Sequence, residues 1–179
     1  MSDAESLWVF GYGSLMWRPG FEFEEQFPAL VRGFHRSLCV FSHVHRGTPE
    51  KPGLVLGLNR GGACKGVAFR VDAHRRDATL SYLREREQVT AVYLENWLSA
   101  RLHDGRHVSC VAYVVDRTHP QYAGRLPEPD LLRLVAQGHG VSGANIDYVR
   151  STHEHLVRSG IKDPSLSYIV QHAPDAGFR

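Results

Sequence analysis

Two features of this chain have residue types that could act together chemically. One is the run Gly11-Tyr12-Gly13-Ser14-Leu15-Met16, which interrupts an apolar stretch. The other is Glu87, an acid in helical register with Leu80 and Leu83. Two glycines around one aromatic residue leave backbone uncovered, and glycine takes positive φ freely. A loop of this kind bares N–H groups that can cradle a carboxylate or a developing oxyanion. The other reading is a tight turn between a core strand and the next element. Leu80, Leu83 and Glu87 are spaced three and four residues apart. They therefore share one side of a helix. An unpaired carboxylate on such a stripe is costly. Glu87 is thus either a working acid or a snorkelling or paired one, with Arg84 at the edge of the same face as its partner. Glu85 and Arg86 point elsewhere on the wheel.

The elements that must position these residues follow from local pattern. Leu7 to Phe10 reads as a strand leading into the loop. Residues 28–45 read as strand, with a kink at Gly33. Leu54 to Leu58 and Lys65 to Val71 read as two strands joined through Asn59-Arg60-Gly61-Gly62, a hairpin composition. Asp72 is an N-cap for a helix running to about Glu87. Residues 89–98 and 107–116 read as strands around the Asp104-Gly105 turn. Asp130 to Gln137 is a short helix. A longer helix opens at Ser142-Gly143-Ala144-Asn145, with Ile146, Val149, Leu156 and Val157 as its stripe and Gly160 as its C′ residue. Asp163-Pro164 starts a last turn or helix, and the tail after about residue 172 is expected to be mobile. Strands and helices do not alternate. The expectation is an α+β fold: a small closed or partly open, mostly antiparallel β-barrel with flanking helices, residues 1–179 forming a single domain.

Composition excludes several classes. A formal net charge of +2 is too small to argue for nucleic acid. There is no run of apolar residues long enough for a membrane span. Met1 to Glu5 lacks the pattern of a secretory signal. Three scattered cysteines, Cys39, Cys64 and Cys110, suit a reducing cytoplasm better than a disulfide framework. His43 and His45 would share a strand face, but no third ligand follows at metal-site spacing, so no metal is expected. Gly11-x-Gly13 lacks the rest of a dinucleotide fingerprint. Ser14 is not in a nucleophile elbow. No cofactor is implied.

Several stretches together carry a resemblance. They are Trp8-Val-Phe-Gly-Tyr-Gly-Ser-Leu-Met-Trp17, His45-Arg-Gly-Thr-Pro-Glu50-x-Pro-Gly53, Gly66-Val-Ala-Phe-Arg-Val71, Tyr82-Leu-x-x-Arg-Glu87 and Ser142-Gly-x-Asn-x-x-Tyr148. In this order, over nearly the whole chain, they resemble the ChaC family of γ-glutamylcyclotransferases. Each stretch is weak alone; the set is specific. The chain departs from the family in having Met16 where other members often have Ile. It also lacks, from Gln88 onward, the Gly-Gly-Tyr some members carry.

The resemblance implies a small barrel with flanking helices that acts on glutathione, a small-molecule substrate, and releases 5-oxoproline and Cys-Gly. It implies that the Gly11–Met16 loop holds the γ-glutamyl part and that Glu87 is the essential carboxylate. The substrate's own α-amine would attack its own γ-carbonyl, with Glu87 moving the proton from the amine to the leaving nitrogen. Burial against Leu80 and Leu83 would raise its pKa. Backbone N–H groups of Gly13 to Leu15 would face the oxyanion or the α-carboxylate. Arg46 or Arg18 would pair with the glycine carboxylate, or remain solvated loop arginines. Tyr113 and Tyr148 would line the pocket or belong to the core. Two other functions share this scaffold: cyclisation of other γ-glutamyl peptides or amines, and a non-catalytic γ-glutamyl-binding regulatory module. Retention of Glu87 argues against the second, since a binder needs no proton shuttle.

Overall fold

A computed structural model of the chain describes residues 6–174. The sequence reads on Met1–Glu5 and on the tail beyond residue 174 therefore lie outside the described residues. The strands are β1 (Leu7–Gly11), β2 (Glu25–Ser42), β3 (Gly53–Val71), β4 (Tyr93–Leu102) and β5 (His107–Val115). They close into a barrel in the order β1-β3-β2-β4-β5. β1 pairs antiparallel with β3, Val9 opposite Phe69, and parallel with β5, Val9 opposite Val111. The remaining pairings of β4 are antiparallel. The α+β barrel expected from the sequence is therefore the fold. Every residue of β1 is buried, so it reads as a continuous apolar run rather than an alternating one.

By its internal contacts the chain forms two compact units, residues 1–37 with 57–119, and residues 38–56 with 120–179. β2 and β3 begin in one and end in the other. The first unit holds a core of Leu7, Val9, Leu15, Phe69, Val71, Leu80, Leu83, Val111 and Tyr113. α1 (Arg76–Glu87) contributes Leu80 and Leu83 to it. Each leucine so buried stabilises the fold by about 2 kcal/mol. Asp72 accepts a hydrogen bond from the His74 N–H at 2.8 Å and opens a 3₁₀ turn, Ala73–Arg75, that leads into α1.

The second unit contains α2 (Glu128–Gln137), the two-residue strands β6 (His139–Gly140) and β7 (Gly143–Ala144), α3 (Asn145–Arg158) and α4 (Pro164–His172). α2, α3 and α4 pack on one another. α3 ends as anticipated at Gly160, with φ of 72°. The Ile161 N–H reaches the Leu156 carbonyl and the Gly160 N–H the Val157 carbonyl, satisfying two terminal carbonyls. Asp163 caps α4 by accepting from the Leu166 N–H.

Three local expectations fail. Asn59 to Gly62 is not a hairpin: β3 runs unbroken through it. Gly61 and Gly62 have φ of 103° and 68° and lie against His35, whose Nδ1 meets the Gly61 carbonyl at 2.9 Å. Two left-handed glycines here bend a continuing strand instead of reversing it. Residues 89–92 are not strand. The chain turns there, with Ala91 at φ 58° and its N–H on the Gln88 carbonyl, before β4 begins at Tyr93. On α3, Val157 is exposed, and the buried stripe is Asn145, Val149, Thr152 and Leu156. The polar members Asn145 and Thr152 take the place that an apolar-only reading gave to Val157.

Candidate active site

β1 ends at Gly11, and the chain then closes a short 3₁₀ turn, Ser14–Met16. The Met16 N–H bonds the Gly13 carbonyl at 2.9 Å and the Arg18 N–H bonds the Ser14 carbonyl at 2.7 Å. The N–H groups of Ser14 and Leu15 open this turn, where helical geometry supplies no acceptor within the turn. Neither Gly11 nor Gly13 has positive φ. Gly11 is needed for close approach instead: a Cβ there would stand 3.1 Å from Leu15 Cβ and 3.2 Å from the Met16 nitrogen. Tyr12, Leu15 and Met16 are buried and anchor the loop, while Ser14 is exposed.

Two guanidinium groups hold this loop. Arg36 Nε donates to the Tyr12 carbonyl at 2.6 Å, and its Nη2 donates to the Lys65 carbonyl at 2.7 Å. Arg86, on the last turn of α1, donates from Nη1 to the Arg18 carbonyl at 2.7 Å, the Pro19 carbonyl at 3.0 Å and the Tyr82 hydroxyl at 3.1 Å. Its Nη2 donates to Ser14 Oγ at 3.1 Å. Arg86, expected to point away, is thus the link between helix and loop. Arg18 itself is exposed.

Glu87 closes α1 with its side chain 17% exposed. Its only ion-pair contact among the described residues is Arg86 Nε, 3.5 Å from Oε1, beyond a good hydrogen bond. Burial pushes its carboxyl above the ordinary glutamate range, and the Arg86 charge opposes that push. The alternative pairing with Arg84, which the shared helix face allows, does not occur. Arg84 instead grips Glu95 of β4 with two bonds, 2.9 and 3.0 Å. Glu95 faces Tyr113 across the β4–β5 ladder and accepts its hydroxyl at 2.9 Å. The Arg84 hydrogen bonds hold the Glu95 carboxyl below its usual range. Burial, the bond to Glu95 and the nearby Glu87 charge push the Tyr113 phenol up.

Glu87, the Gly11–Met16 loop and Tyr113 thus belong to one unit. Leu15, Leu83 and Tyr113 share its core. Arg46 and Tyr148 stand together in the other unit. Arg46 Nη1 donates to the Ala144 carbonyl at 3.2 Å, and its guanidinium lies 5.6 Å from the centre of the Tyr148 ring. The Tyr148 hydroxyl accepts the Leu56 N–H at 3.0 Å. Asn145 explains the other half of that signature: its amide bonds both the N–H and the carbonyl of Leu54, each at 2.8 Å. His45, weighed as a metal ligand, meets Ser142 Oγ at 2.9 Å.

Arg36, Arg84, Arg86 and Glu95 were missed as site residues. Arg86 was within reach, since it sits inside the Tyr82–Glu87 motif. Glu95 was too: a three-residue loop centred on Asp104, with Gly105 left-handed, sets it opposite Tyr113.

The arrangement is a half-buried carboxylate of raised proton affinity at a helix end, tied through its neighbouring residue to a loop of backbone donors. A family model described as ChaC-like protein matches residues 7–175. The glutathione-specific gamma-glutamylcyclotransferase of Escherichia coli (strain K12) is 36% identical over 168 residues, covering 94% of this chain and 73% of that protein. The human glutathione-specific gamma-glutamylcyclotransferase 1 is 33% identical over 174 residues, covering 94% and 78%. The crystal structure of a yeast gamma glutamyl cyclotransferase specific to glutathione has the same fold, with a TM-score of 0.83 at 20% identity over 94% of this chain and 97% of that one. With a match that runs from the first barrel strand past the last helix, the chain belongs to the ChaC-like protein family.

Proposed function

We propose that this protein is a glutathione-specific γ-glutamylcyclotransferase, a lyase that converts glutathione to 5-oxoproline and Cys-Gly. The observation that carries the reading is Glu87, a carboxylate enclosed at the end of α1 with burial raising its proton affinity. Relatives that bear this activity in their names align along most of the chain.

The reaction is intramolecular, so the main demand on the protein is to hold the γ-glutamyl chain folded back on itself. The α-ammonium gives one proton to solvent, and Glu87 takes a second from the resulting amine as its nitrogen attacks the γ-carbonyl carbon. The C–N bond to cysteine then breaks, and Glu87 returns the proton to the leaving nitrogen. The new ring is 5-oxoproline. The Ser14 and Leu15 N–H groups receive the carbonyl oxygen or the α-carboxylate, and the Arg36 and Arg86 braces keep them in place. Three scattered, buried cysteines suit a reducing compartment better than a disulfide framework, so the proposed place of action is the cytoplasm.

The test is to incubate purified protein with glutathione, without added metal, and to assay 5-oxoproline beside Glu87→Gln. Loss of a positioned acid–base group predicts a fall of about 10²- to 10⁴-fold in a folded variant. Equal product from both removes Glu87 from its role. Product only from other γ-glutamyl peptides changes the substrate, and free glutamate in place of 5-oxoproline means hydrolysis.

A further inference from the structure

Arg84, Glu95 and Tyr113 form a chain of hydrogen bonds that the proton shuttle does not use. Arg84 commits Nε and Nη2 to the two oxygens of Glu95. Glu95 Oε1 accepts the Tyr113 hydroxyl at 2.9 Å. An ionised carboxylate cannot donate, so the phenol proton must lie on the Tyr113 side of that bond and point at Glu95. Arg84 keeps Glu95 ionised. The Tyr113 ring packs in the same core as Leu83 and Leu15, and its phenol senses the charge of Glu87. Its oxygen therefore has lone pairs left and no proton to give.

We propose that Glu95, fixed by Arg84, is a positioning residue that makes Tyr113 an acceptor only, holding an N–H of the attacking amine while Glu87 removes its proton. Tyr113 is then not an oxyanion donor, and that work falls to the backbone of the loop. With one N–H on Tyr113 and another proton on its way to Glu87, the nitrogen lone pair is turned toward the γ-carbonyl. The inference rests on the cyclotransferase reading for its catalytic half, but the direction of the phenol proton stands apart from it.

Glu95→Gln tests it. Arg84 would hold the amide oxygen, leaving the NH₂ to donate to Tyr113 and turning the phenol proton away. With glutathione as substrate, kcat should fall about 10- to 100-fold, the size of one hydrogen bond to a charged group, with KM nearly unchanged. Placed in a Tyr113→Phe background, the same substitution should do almost nothing further. An equal loss in both backgrounds, or a full-rate Glu95→Gln enzyme, overturns the proposal. A second readout needs no turnover. NMR titration of ¹³C-labelled tyrosine, with Tyr113 assigned through Tyr113→Phe, should show its ionisation at lower pH in Glu95→Gln. An unmoved titration overturns the proton's direction. A wild-type protein that makes no 5-oxoproline overturns the cyclotransferase reading and the catalytic half with it, while the titration still decides the hydrogen bond.

Discussion

Arg86 Nη2 donates to Ser14 Oγ at 3.1 Å, tying the glycine loop to the turn of α1 that ends in Glu87. The same guanidinium serves the Arg18 and Pro19 carbonyls and lies 3.5 Å from Glu87. It therefore has two jobs, one geometric and one electrostatic. Arg86→Lys and Arg86→Met separate them. A lysine keeps the charge but cannot serve four acceptors with one ammonium. Both variants should lose about 10- to 100-fold in kcat/KM through a misplaced loop.

The two should differ in their pH dependence. Glu87 acts as base only when ionised, so activity rises with pH through its folded pKa. Burial puts that acid limb above the ordinary glutamate range. Removing the Arg86 charge takes away the one influence that lowers it. The limb should therefore move to higher pH in Arg86→Met and stay near the wild-type position in Arg86→Lys. A profile of kcat/KM against pH checks this, and an unmoved limb in Arg86→Met would mean that Arg86 does not tune Glu87.

Glu87 should also cost the fold stability. Its carboxyl binds a proton more tightly folded than unfolded. Stability from this group is then complete below the unfolded pKa, about 4.3. It is lost as pH rises from there through the folded pKa. Above that window an ionised Glu87 is held in poor surroundings. Glu87→Gln should therefore raise Tm at pH 7 to 8, with the gain fading as pH falls through the folded pKa and gone below about 4. Thermal denaturation across pH tests it; a lower Tm at neutral pH would mean that Glu87 makes a favourable contact when charged.

Helix α1 and its acid were legible because an Asp cap and a spacing of three and four residues constrain the same segment. What failed was reach. A helical wheel gives the direction of Cβ, and by that measure Arg86 points away from Glu87. Its long side chain returns to the loop, which no local pattern records. Arg84 sits at the edge of Glu87's face and so offers a pair, but the partner it does take, Glu95, is a neighbour only once the sheet register is known. Gly61-Gly62 misled for a different reason: left-handed glycines serve a reversal and a bend equally well, and only pairing along β3 decides between them. Asn145 and Thr152 were passed over because buried polar residues break an apolar stripe on paper while completing it in space.

Asn145 should be among the most sensitive positions of the second unit. It is fully buried and satisfies both backbone groups of Leu54, which is buried as well. Asn145→Ala removes both partners at once and leaves a buried N–H and a buried carbonyl without bonds. The expected cost is about 3 kcal/mol, from two unsatisfied groups. Asn145→Asp should lose less, because a carboxylate still accepts the Leu54 N–H. Chemical denaturation midpoints at constant slope test the order; equal stability of Asn145→Ala and wild type would mean that water replaces the amide.

The cysteines should be silent until the protein opens. Cys39, Cys64 and Cys110 are all buried. Burial pushes the Cys110 thiol up to about 12, so almost none is thiolate at neutral pH. Labelling by an aromatic disulfide such as Ellman's reagent should therefore be slow in the native protein and reach three thiols in denaturant. Because reaction must wait for opening, its rate at Cys110 should follow global stability. Asn145→Ala lowers that stability and should therefore speed Cys110 labelling. Unchanged labelling in that variant would mean that the first unit opens on its own.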